Sequence, residues 1–176
     1  MSADRPDHRP HGPRVVLVGP MGAGKSTVGR LLAEAWDVSL RDTDEDVEQV
    51  AGRSISDIFV DEGEQAFRSL EREAVSAALA GHDGVLALGG GAVLDPTTRD
   101  LLAGHPVVFL RVGLGDAVKR VGLGSSRPLL FGNVRARIKA LLDERTPIYE
   151  SVAVHSVDTD GRSPQDVADE IQKVLA

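Results

Sequence analysis

Short apolar runs alternate along the chain with longer amphipathic stretches. This alternation is typical of an α/β fold in which helices cover a parallel sheet. The apolar runs predict five strands, at residues 14–18, 38–41, 84–88, 106–111 and 154–157. Helical spacing predicts a helix over residues 26–36 after the first strand and a last helix over residues 163–175. In the last helix, Ser163 is placed as the N-cap and Pro164 as the first helical residue.

The alternation breaks between the second and third strands. Helical patterns cover residues 45–51, 54–60 and 64–80 there, with glycines between them. Roughly forty residues are too many for a plain crossover, since such connections are short. The pattern therefore predicts a small helical insertion over residues 43–80.

Two segments lack periodicity. Residues 1–13 contain Pro, His and charged residues but no apolar run, which predicts a disordered leader and no signal peptide. Residues 14–176 are then expected to form one domain. Residues 122–133 contain three glycines and a proline between two helical patterns, which predicts a mobile loop.

Composition narrows the classes of partner. The formal net charge of −7 argues against nucleic acid as the main partner, because backbone binding requires a basic face. The chain has no cysteine, which excludes disulfides and cysteine-ligated zinc, and its histidines lack metal-ligand spacing. No apolar run approaches the ~20 residues that span a bilayer. A cytoplasmic location is the default expectation.

Residues 19–26 read GPMGAGKS between a predicted strand and a predicted helix, which is the P-loop pattern in its required context. The glycines let the backbone curl and present N–H groups to phosphate oxygens. Lys25 is placed to reach the β and γ phosphates, and the Ser26 hydroxyl to bind magnesium. A glycine-rich turn without function is the alternative. The P-loop indicates nucleotide binding and leaves the reaction open.

Asp42 and Asp44 follow the second predicted strand, at the sheet edge where open α/β folds bind ligands. One carboxylate is suited to orienting magnesium through its waters, and the other to accepting the proton of an attacking hydroxyl. The alternative is that Thr43 or Asp44 caps the helix that follows. The three glycines at 89–91 end a strand at the same edge, where a ligand can approach the backbone closely, although a structural turn is possible.

Three arginines are candidates for binding anions. Arg68 lies between Glu64 and Glu71 on one helical face, and a solvated surface face is the alternative there. Arg145 is predicted at a helix end, immediately before a Thr-Pro pair, where its charge also suits the helix dipole. Arg127 lies in the predicted mobile loop, which can carry it over a triphosphate, although it is equally compatible with a surface position.

Taken together, these residues resemble the shikimate kinase family, within the nucleoside-monophosphate-kinase-like P-loop enzymes. The resemblance runs from about residue 14 to the C-terminus. It is carried by GPMGAGKST (19–27), DTD (42–44), RSISDIF (53–59), GEQAFRSLE (63–71), GGGAV (89–93), RPLL (127–130) and RTPIYE (145–150).

The resemblance implies a three-layer αβα P-loop fold with a five-stranded parallel sheet, a helical substrate-binding insertion and a mobile lid over residues 122–133. It implies ATP-dependent phosphorylation of shikimate to shikimate 3-phosphate, in aromatic amino acid biosynthesis, with Mg²⁺ as cofactor. The implied partners are the small molecules ATP and shikimate, with no nucleic acid or membrane, and the implied state is a monomer.

The resemblance also implies residue roles. The implied catalytic residues are Lys25, Asp44 and Arg127. Shikimate would be bound by Asp44, Arg68, Gly90, Gly91 and Arg145, with Phe59 and Phe67 as pocket walls. ATP would be bound by Gly22, Ala23, Gly24, Lys25, Ser26, Thr27, Arg120, Arg127, Arg162 and Pro164. Magnesium would be held by Ser26 and Asp42.

Two other functions stay open on the sequence. One is another small-metabolite kinase of the same superfamily, such as a gluconate or nucleoside-monophosphate kinase. A nucleotide kinase is expected to bind a phosphate and a base in its acceptor site, whereas this insertion offers carboxylates and an arginine pair suited to a carboxylate. The other is a catalytically silent nucleotide-binding regulator, which is expected to lack at least one of the proposed catalytic groups.

Overall fold

The computed structural model describes residues 12–124 and 133–176, which contain a five-stranded sheet. The strands are β1 (Val15–Val18), β2 (Leu40–Asp42), β3 (Val85–Ala87), β4 (Val107–Arg111) and β5 (His155–Asp158). Their order across the sheet is β2-β3-β1-β4-β5, and every neighbouring pair is parallel. The predicted five-stranded parallel sheet is confirmed, with strand ends shifted by one or two residues.

Helices connect the strands. They are α1 (Lys25–Trp36), α2 (Thr43–Ala51), α3 (Ile55–Glu62), α4 (Glu64–Gly81), a 3₁₀ turn (Ala92–Leu94), α5 (Pro96–Leu102), α6 (Leu114–Gly124), α7 (Val134–Val152) and α8 (Pro164–Val174). As the sequence predicts, three helices (α2, α3 and α4) lie between β2 and β3. Among the described residues, no helix combines the length and apolar character needed to cross a membrane.

The core forms two layers because β1 is buried on both faces. Val15 and Leu17 pack with residues of α1 and α8, whereas Val16 and Val18 pack with residues of α4, α5 and α7. Side chains of a strand point alternately to opposite faces, so an all-apolar strand is suited to a sheet covered on both sides. This is the predicted three-layer αβα arrangement. A smaller cluster of Val47, Ile58 and Phe67 holds α2, α3 and α4 together.

The sequence places Arg145 at a helix end, and that prediction is wrong. Helix α7 continues through Pro147 to Val152. Proline removes one helical hydrogen bond and clashes with the preceding turn, at about 3 kcal/mol. Beyond it, Ile148 and Tyr149 pack into the core, and Tyr149 is completely buried. Burial of these side chains offsets the proline, since a large apolar side chain contributes about 1.5–3 kcal/mol.

The strand order brings three sequence motifs into one row. The P-loop follows β1, the Asp-Thr-Asp segment begins at the end of β2, and the glycines at 89–91 follow β3. Because β3 lies between β1 and β2 and all three run parallel, their carboxyl ends share one edge of the sheet. The candidate site therefore lies at the edge where open α/β sheets bind ligands.

Candidate active site

A cleft of about 530 Å³ opens at this edge of the sheet. Most of the sequence-predicted site residues line it. They are Gly22, Gly24, Lys25, Ser26, Thr27, Asp42, Asp44, Phe67, Arg68, Gly90, Gly91 and Arg145. Residues from the P-loop, the insertion, the glycine loop and α7 thus face one volume.

A second, smaller cleft of about 230 Å³ lies on the other side of the P-loop. The remaining described residues that the sequence predicts for ATP line it, namely Ala23, Arg120, Arg162 and Pro164. Arg120 donates hydrogen bonds to the Gly22 carbonyl at 3.1 Å and to the carbonyl of Thr159 at 3.0 Å. Arg162 is paired with Glu170 at 2.8 Å. Arg120 therefore connects the P-loop to the segment that follows β5.

Two other predicted site residues have different outcomes. Phe59 does not line either cleft; its ring lies 4.9 Å from that of Phe67 and remains 38% exposed. It supports the wall made by Phe67 from outside. Arg127 and the central part of the predicted lid lie outside the described residues.

The P-loop curls because Gly22 and Gly24 adopt left-handed backbone angles, with φ of 82° and 94°. Side chains are strained in this region and glycine is not. The Lys25 ammonium donates to the carbonyls of Gly19 at 2.7 Å and Pro20 at 3.0 Å. Burial lowers the pKa of Lys25 to about 8. The free protein thus holds a partly desolvated ammonium at the N-terminus of α1, where a bound anion would stabilise its charge.

Asp42, at the end of β2, and Asp44, in α2, have different roles. Asp42 is the N-cap of α2, and its Oδ1 accepts from the Asp44 backbone N–H at 2.8 Å. The expectation that Thr43 or Asp44 caps this helix is wrong, because α2 begins at Thr43 and Asp42 still has extended backbone angles. The cap uses the backbone of Asp44 and not its side chain. The Asp44 carboxylate is therefore available to the cleft.

Burial raises the pKa of the Asp44 carboxyl above its ordinary value, and the negative charge of Asp42 adds to this effect. The nearby Lys25 and Arg68 oppose it, because positive charge favours the carboxylate. A carboxylate with a raised pKa is a stronger base than an exposed one. Asp44 therefore has the protonation chemistry that suits a general base.

Gly89 and Gly91 leave no space for a side chain, whereas a Cβ at Gly90 would make only ordinary contacts. A Cβ at Gly89 would lie 2.5 Å from Asp44 Oδ1 and 3.1 Å from Glu71 Oε2. A Cβ at Gly91 would lie 2.6 Å from both terminal nitrogens of Arg68, although the φ of Gly91 is an ordinary −99°. The strand end is thus both a turn and a surface against which charged side chains of the cleft pack.

Arg68 is held by two carboxylates of α4. Its Nη1 lies 2.8 Å from Glu71 Oε1, and its Nε lies 3.6 Å from Glu64 Oε1. Glu71 is only 3% exposed, so the alternative of a solvated helical face is wrong for it, although Glu64 is exposed. Burial raises the pKa of Glu71, and its hydrogen bond with Arg68 opposes the shift. This pairing fixes the direction of the guanidinium.

Arg145 reaches the same cleft from α7. Its Nε is a buried side-chain atom without a hydrogen-bond partner in the described part of the chain. Buried polar atoms are nearly always paired, so this N–H is a donor whose need for an acceptor the described residues do not meet. With Arg68 in the same wall, Arg145 makes this end of the cleft suited to an anion.

Sequence reasoning did not assign site roles to three residues. Thr43 is fully buried, and its Oγ1 accepts from the Gly89 N–H at 3.2 Å. Tyr149 donates through its hydroxyl to the Gly90 carbonyl. Thr43 and Gly89 lie inside motifs that were recognised, so their positions were a signal. Tyr149 lies in RTPIYE (145–150), which was also recognised, but the predicted helix ended before it and the residue was given no role.

The arrangement of these groups suits one kind of reaction. One wall of the cleft presents the Lys25 ammonium and backbone N–H groups suited to phosphate, and the Asp44 carboxylate, with its raised pKa, faces the same volume. The guanidinium groups of Arg68 and Arg145 suit a carboxylate on a second small molecule. This arrangement can transfer a phosphoryl group to a hydroxyl of an anionic acceptor.

Comparison with known proteins gives consistent matches. The family model described as shikimate kinase matches residues 21–176. The chain is 60% identical over 164 residues to a shikimate kinase of Salinispora arenicola, covering 93% of this chain and 98% of that one. It is 58% identical over 163 residues to one of Thermobifida fusca, covering 93% and 95%. A solved shikimate kinase from Acinetobacter baumannii in complex with shikimate matches with a TM-score of 0.82 and 35% identity, covering 93% of this chain and 92% of that chain.

Proposed function

This chain belongs to the shikimate kinase family, and on that premise we propose that it uses ATP to phosphorylate shikimate, giving shikimate 3-phosphate and ADP. The observation that carries the proposal is the cationic wall of the cleft, in which Arg68 is oriented by a buried glutamate and the Arg145 Nε has no hydrogen-bond partner among the described residues. Such a wall suits a small molecule with a carboxylate, as shikimate has.

The donor binds along the P-loop. Backbone N–H groups of Gly22, Ala23 and Gly24 and the side chains of Lys25 and Thr27 surround the phosphates. The adenine occupies the smaller cleft, bordered by Arg120, Arg162 and Pro164. Lys25 stabilises charge that develops as the γ-phosphoryl group moves, since preorganised cations in a partly desolvated site interact strongly.

The acceptor binds against the opposite wall. Arg68 and Arg145 hold its carboxylate, and Gly90 and Gly91 offer backbone N–H donors. Asp44 accepts a hydrogen bond from the reacting hydroxyl and takes its proton as the oxygen attacks phosphorus. The proton resides on the Asp44 carboxyl until it is released to solvent. The raised pKa of this carboxyl brings its basicity closer to that required.

The residues present fit a bound magnesium ion. Ser26 and Asp42 line the main cleft and offer a hydroxyl and a carboxylate, and Asp42 uses one oxygen for the helix cap. Within residues 12–124 and 133–176, no group of three or more metal-ligating acidic or histidine side chains occurs. So few protein ligands suit Mg²⁺, which keeps several waters and binds phosphates directly. When bound, the ion would offset the charge of the phosphates.

Some parts of the proposal rest on the sequence alone. The role of Arg127 as a charge-stabilising arginine of a lid over residues 122–133 stays a prediction, because it falls outside the described residues. The disordered leader over residues 1–13 also stays a prediction. We also propose that residues 43–80 act as the substrate-binding insertion, and that the protein is a cytoplasmic monomer without nucleic-acid or membrane partners.

The direct test is release of ADP by the purified protein from Mg-ATP, measured with and without shikimate. We expect turnover that depends on shikimate. Gluconate and nucleoside monophosphates serve as competing acceptors in parallel assays. Stimulation by one of those compounds instead of shikimate would assign the chain another acceptor. ATP binding without turnover on any acceptor would favour a nucleotide-binding regulator.

We expect Arg145→Ala to raise the KM for shikimate by ~10- to 100-fold with the KM for ATP nearly unchanged. A hydrogen bond to a charged group contributes about 1.5–3 kcal/mol, and each 1.4 kcal/mol is about a tenfold change. Steady-state kinetics with each substrate varied in turn measures the difference.

Arg111→Ala is the matched control for this change. Arg111 forms ion pairs with Glu150 and Asp158 on the surface and does not line the main cleft. It should leave both KM values near those of the wild type. A large rise in the KM for ATP in Arg145→Ala, with the KM for shikimate unchanged, would show that Arg145 binds ATP and does not bind the shikimate carboxylate.

We expect Gly91→Ala to weaken shikimate binding and to lower the melting temperature moderately, because displacing Arg68 weakens its pair with the buried Glu71. The new methyl group would overlap the end of the flexible Arg68 side chain, which can move away but then leaves its cleft position. The KM for shikimate should rise by roughly tenfold, the amount lost with one charged hydrogen bond.

Gly81→Ala serves as the control, because a Cβ at Gly81 meets nothing within 4 Å. Its kinetics and melting temperature should match those of the wild type. If Gly91→Ala instead lowers the melting temperature strongly and keeps the KM for shikimate, the glycine serves folding and does not serve the position of Arg68.

A further inference from the structure

Two buried hydroxyls hold consecutive residues of the glycine loop, defined as residues 89–91. The Gly89 N–H donates to Thr43 Oγ1 at 3.2 Å, and the Tyr149 hydroxyl donates to the Gly90 carbonyl at 2.5 Å. Both side chains are fully buried. The loop is therefore attached to the start of α2 on one side and to α7 on the other.

The two anchors are themselves fixed. Thr43 is the first residue of α2, between the Asp42 cap and Asp44. The Tyr149 ring stacks on Phe109 of β4 with centroids 5.0 Å apart, and it lies one helical turn after Arg145. Neither hydroxyl can turn to water, since both residues have no exposed surface. The Thr43 hydroxyl thus meets the loop, and the Tyr149 hydroxyl meets the loop and also lies against the Arg145 side chain. Burial raises the pKa of the Tyr149 phenol, and the positive charge of Arg145 opposes that rise.

The anchors leave two donors of the loop unused. The N–H groups of Gly90 and Gly91 make no hydrogen bond to any described residue, and both glycines line the main cleft. A glycine backbone has more conformational freedom to lose than any other, so loose donors would bind a ligand weakly. Fixing them in advance removes that cost from the binding step.

We propose that Thr43 and Tyr149 are positioning residues for the acceptor: their hydroxyls hold the glycine loop so that the free N–H groups of Gly90 and Gly91 meet the acceptor in one orientation. This inference rests on the proposed function, because the acceptor is taken to be shikimate. It assigns these hydroxyls to acceptor affinity and not to the donor side. It also gives the segment after Pro147 a role in substrate binding.

Kinetics of Tyr149→Phe and Thr43→Val test the proposal, since each variant removes one anchoring hydroxyl and keeps the size of the side chain. We expect the KM for shikimate to rise about three- to tenfold in each, the value of one neutral hydrogen bond. The KM for ATP should change less than about twofold. Thr43→Ser, which keeps the hydroxyl, should restore the KM for shikimate.

Hydrogen–deuterium exchange of the free protein tests, without any substrate, whether the two hydroxyls hold the glycine loop. In peptides covering residues 89–91, the amide of Gly89, which is hydrogen-bonded to Thr43, should exchange faster in Tyr149→Phe and Thr43→Val than in the wild type or Thr43→Ser. Leu102→Val, in the same core cluster as Tyr149 but without a hydroxyl to lose, controls for reduced stability. It should keep the KM for shikimate and the slow exchange of the loop.

The outcomes separate the inference from the proposed function. Unchanged loop exchange in both hydroxyl variants overturns the inference that the hydroxyls hold the loop. A rise in the KM for shikimate in Leu102→Val as large as that in the hydroxyl variants also overturns it. A rise in the KM for ATP as large as that for shikimate also overturns it. Wild-type protein without shikimate-dependent turnover would instead overturn the proposed function, and the exchange experiment would still decide whether the hydroxyls hold the loop.

Discussion

Lys25→Ala is expected to lower kcat by roughly 100-fold or more, since removing one preorganised group that stabilises transition-state charge has effects of this size. The Lys25 ammonium is already positioned by the carbonyls of Gly19 and Pro20 and is partly desolvated. Single-turnover measurements at saturating ATP and shikimate separate the chemical step from weaker binding. A variant that keeps most of its kcat would refute the role of Lys25 in the reaction.

The lowered pKa of Lys25 adds a dependence on pH. Binding of a phosphate requires the charged ammonium, and the free protein loses that charge as the pH rises through about 8. The value of kcat/KM for ATP should therefore be constant below this pH and fall above it. Lys25→Arg keeps its charge, so whatever activity remains should lack this alkaline decline. An identical decline in Lys25→Arg would assign it to another group.

Asp44→Asn is expected to lower kcat by about 10²- to 10⁴-fold, the range for a general base. The amide has nearly the same size, and the α2 cap is preserved because it uses the backbone N–H of residue 44. The pKa of Asp44 is raised in the free protein, so kcat/KM for shikimate of the wild type should fall as the pH drops through that raised value and the base becomes protonated. The residual activity of Asp44→Asn should lack this acidic decline.

Asp46→Asn is the control for the loss of one carboxylate in the same helix. Asp46 pairs with Arg41 and does not line the main cleft. Its kcat and its pH profile should remain close to those of the wild type. If Asp44→Asn keeps a normal kcat and raises only the KM for shikimate, Asp44 binds the acceptor and another group takes the proton.

Local patterns were sufficient for the frame of the fold and for the donor side of the site. The β1 strand consists of four consecutive apolar residues, and the P-loop follows it directly in the sequence, so both can be recognised from neighbouring residues. The carboxyl end of each parallel strand must share an edge, so placing the motifs at strand ends also placed them together. Asp42, Asp44 and the glycine loop were therefore predictable as neighbours, whereas the place of Arg68 followed only from the family resemblance.

Tertiary packing decided what local patterns did not predict. Pro147 is a helix breaker by its own chemistry, yet burial of Tyr149 in the core keeps α7 intact beyond it. Glu71 belongs to a charged face by spacing alone, and only the close approach of Gly89 and Arg68 shows that it is buried. These results depend on residues far apart in sequence, which a local pattern does not contain.

The order of the strands also sets the dimensions of an inhibitor that would occupy both clefts. The adenine cleft lies beside the segment after β5, whereas Asp42 ends β2 and Asp44 follows it, at the opposite edge of the sheet. Four strand spacings separate these edges, roughly 19 Å at about 4.8 Å each. A bisubstrate compound would therefore have to run across the strands along the sheet edge, with its phosphate mimic over the P-loop at β1. Because both clefts are lined by Gly24 and Thr27, a shorter compound can enter both, but one much shorter than this span would not reach from the adenine cleft to Asp44.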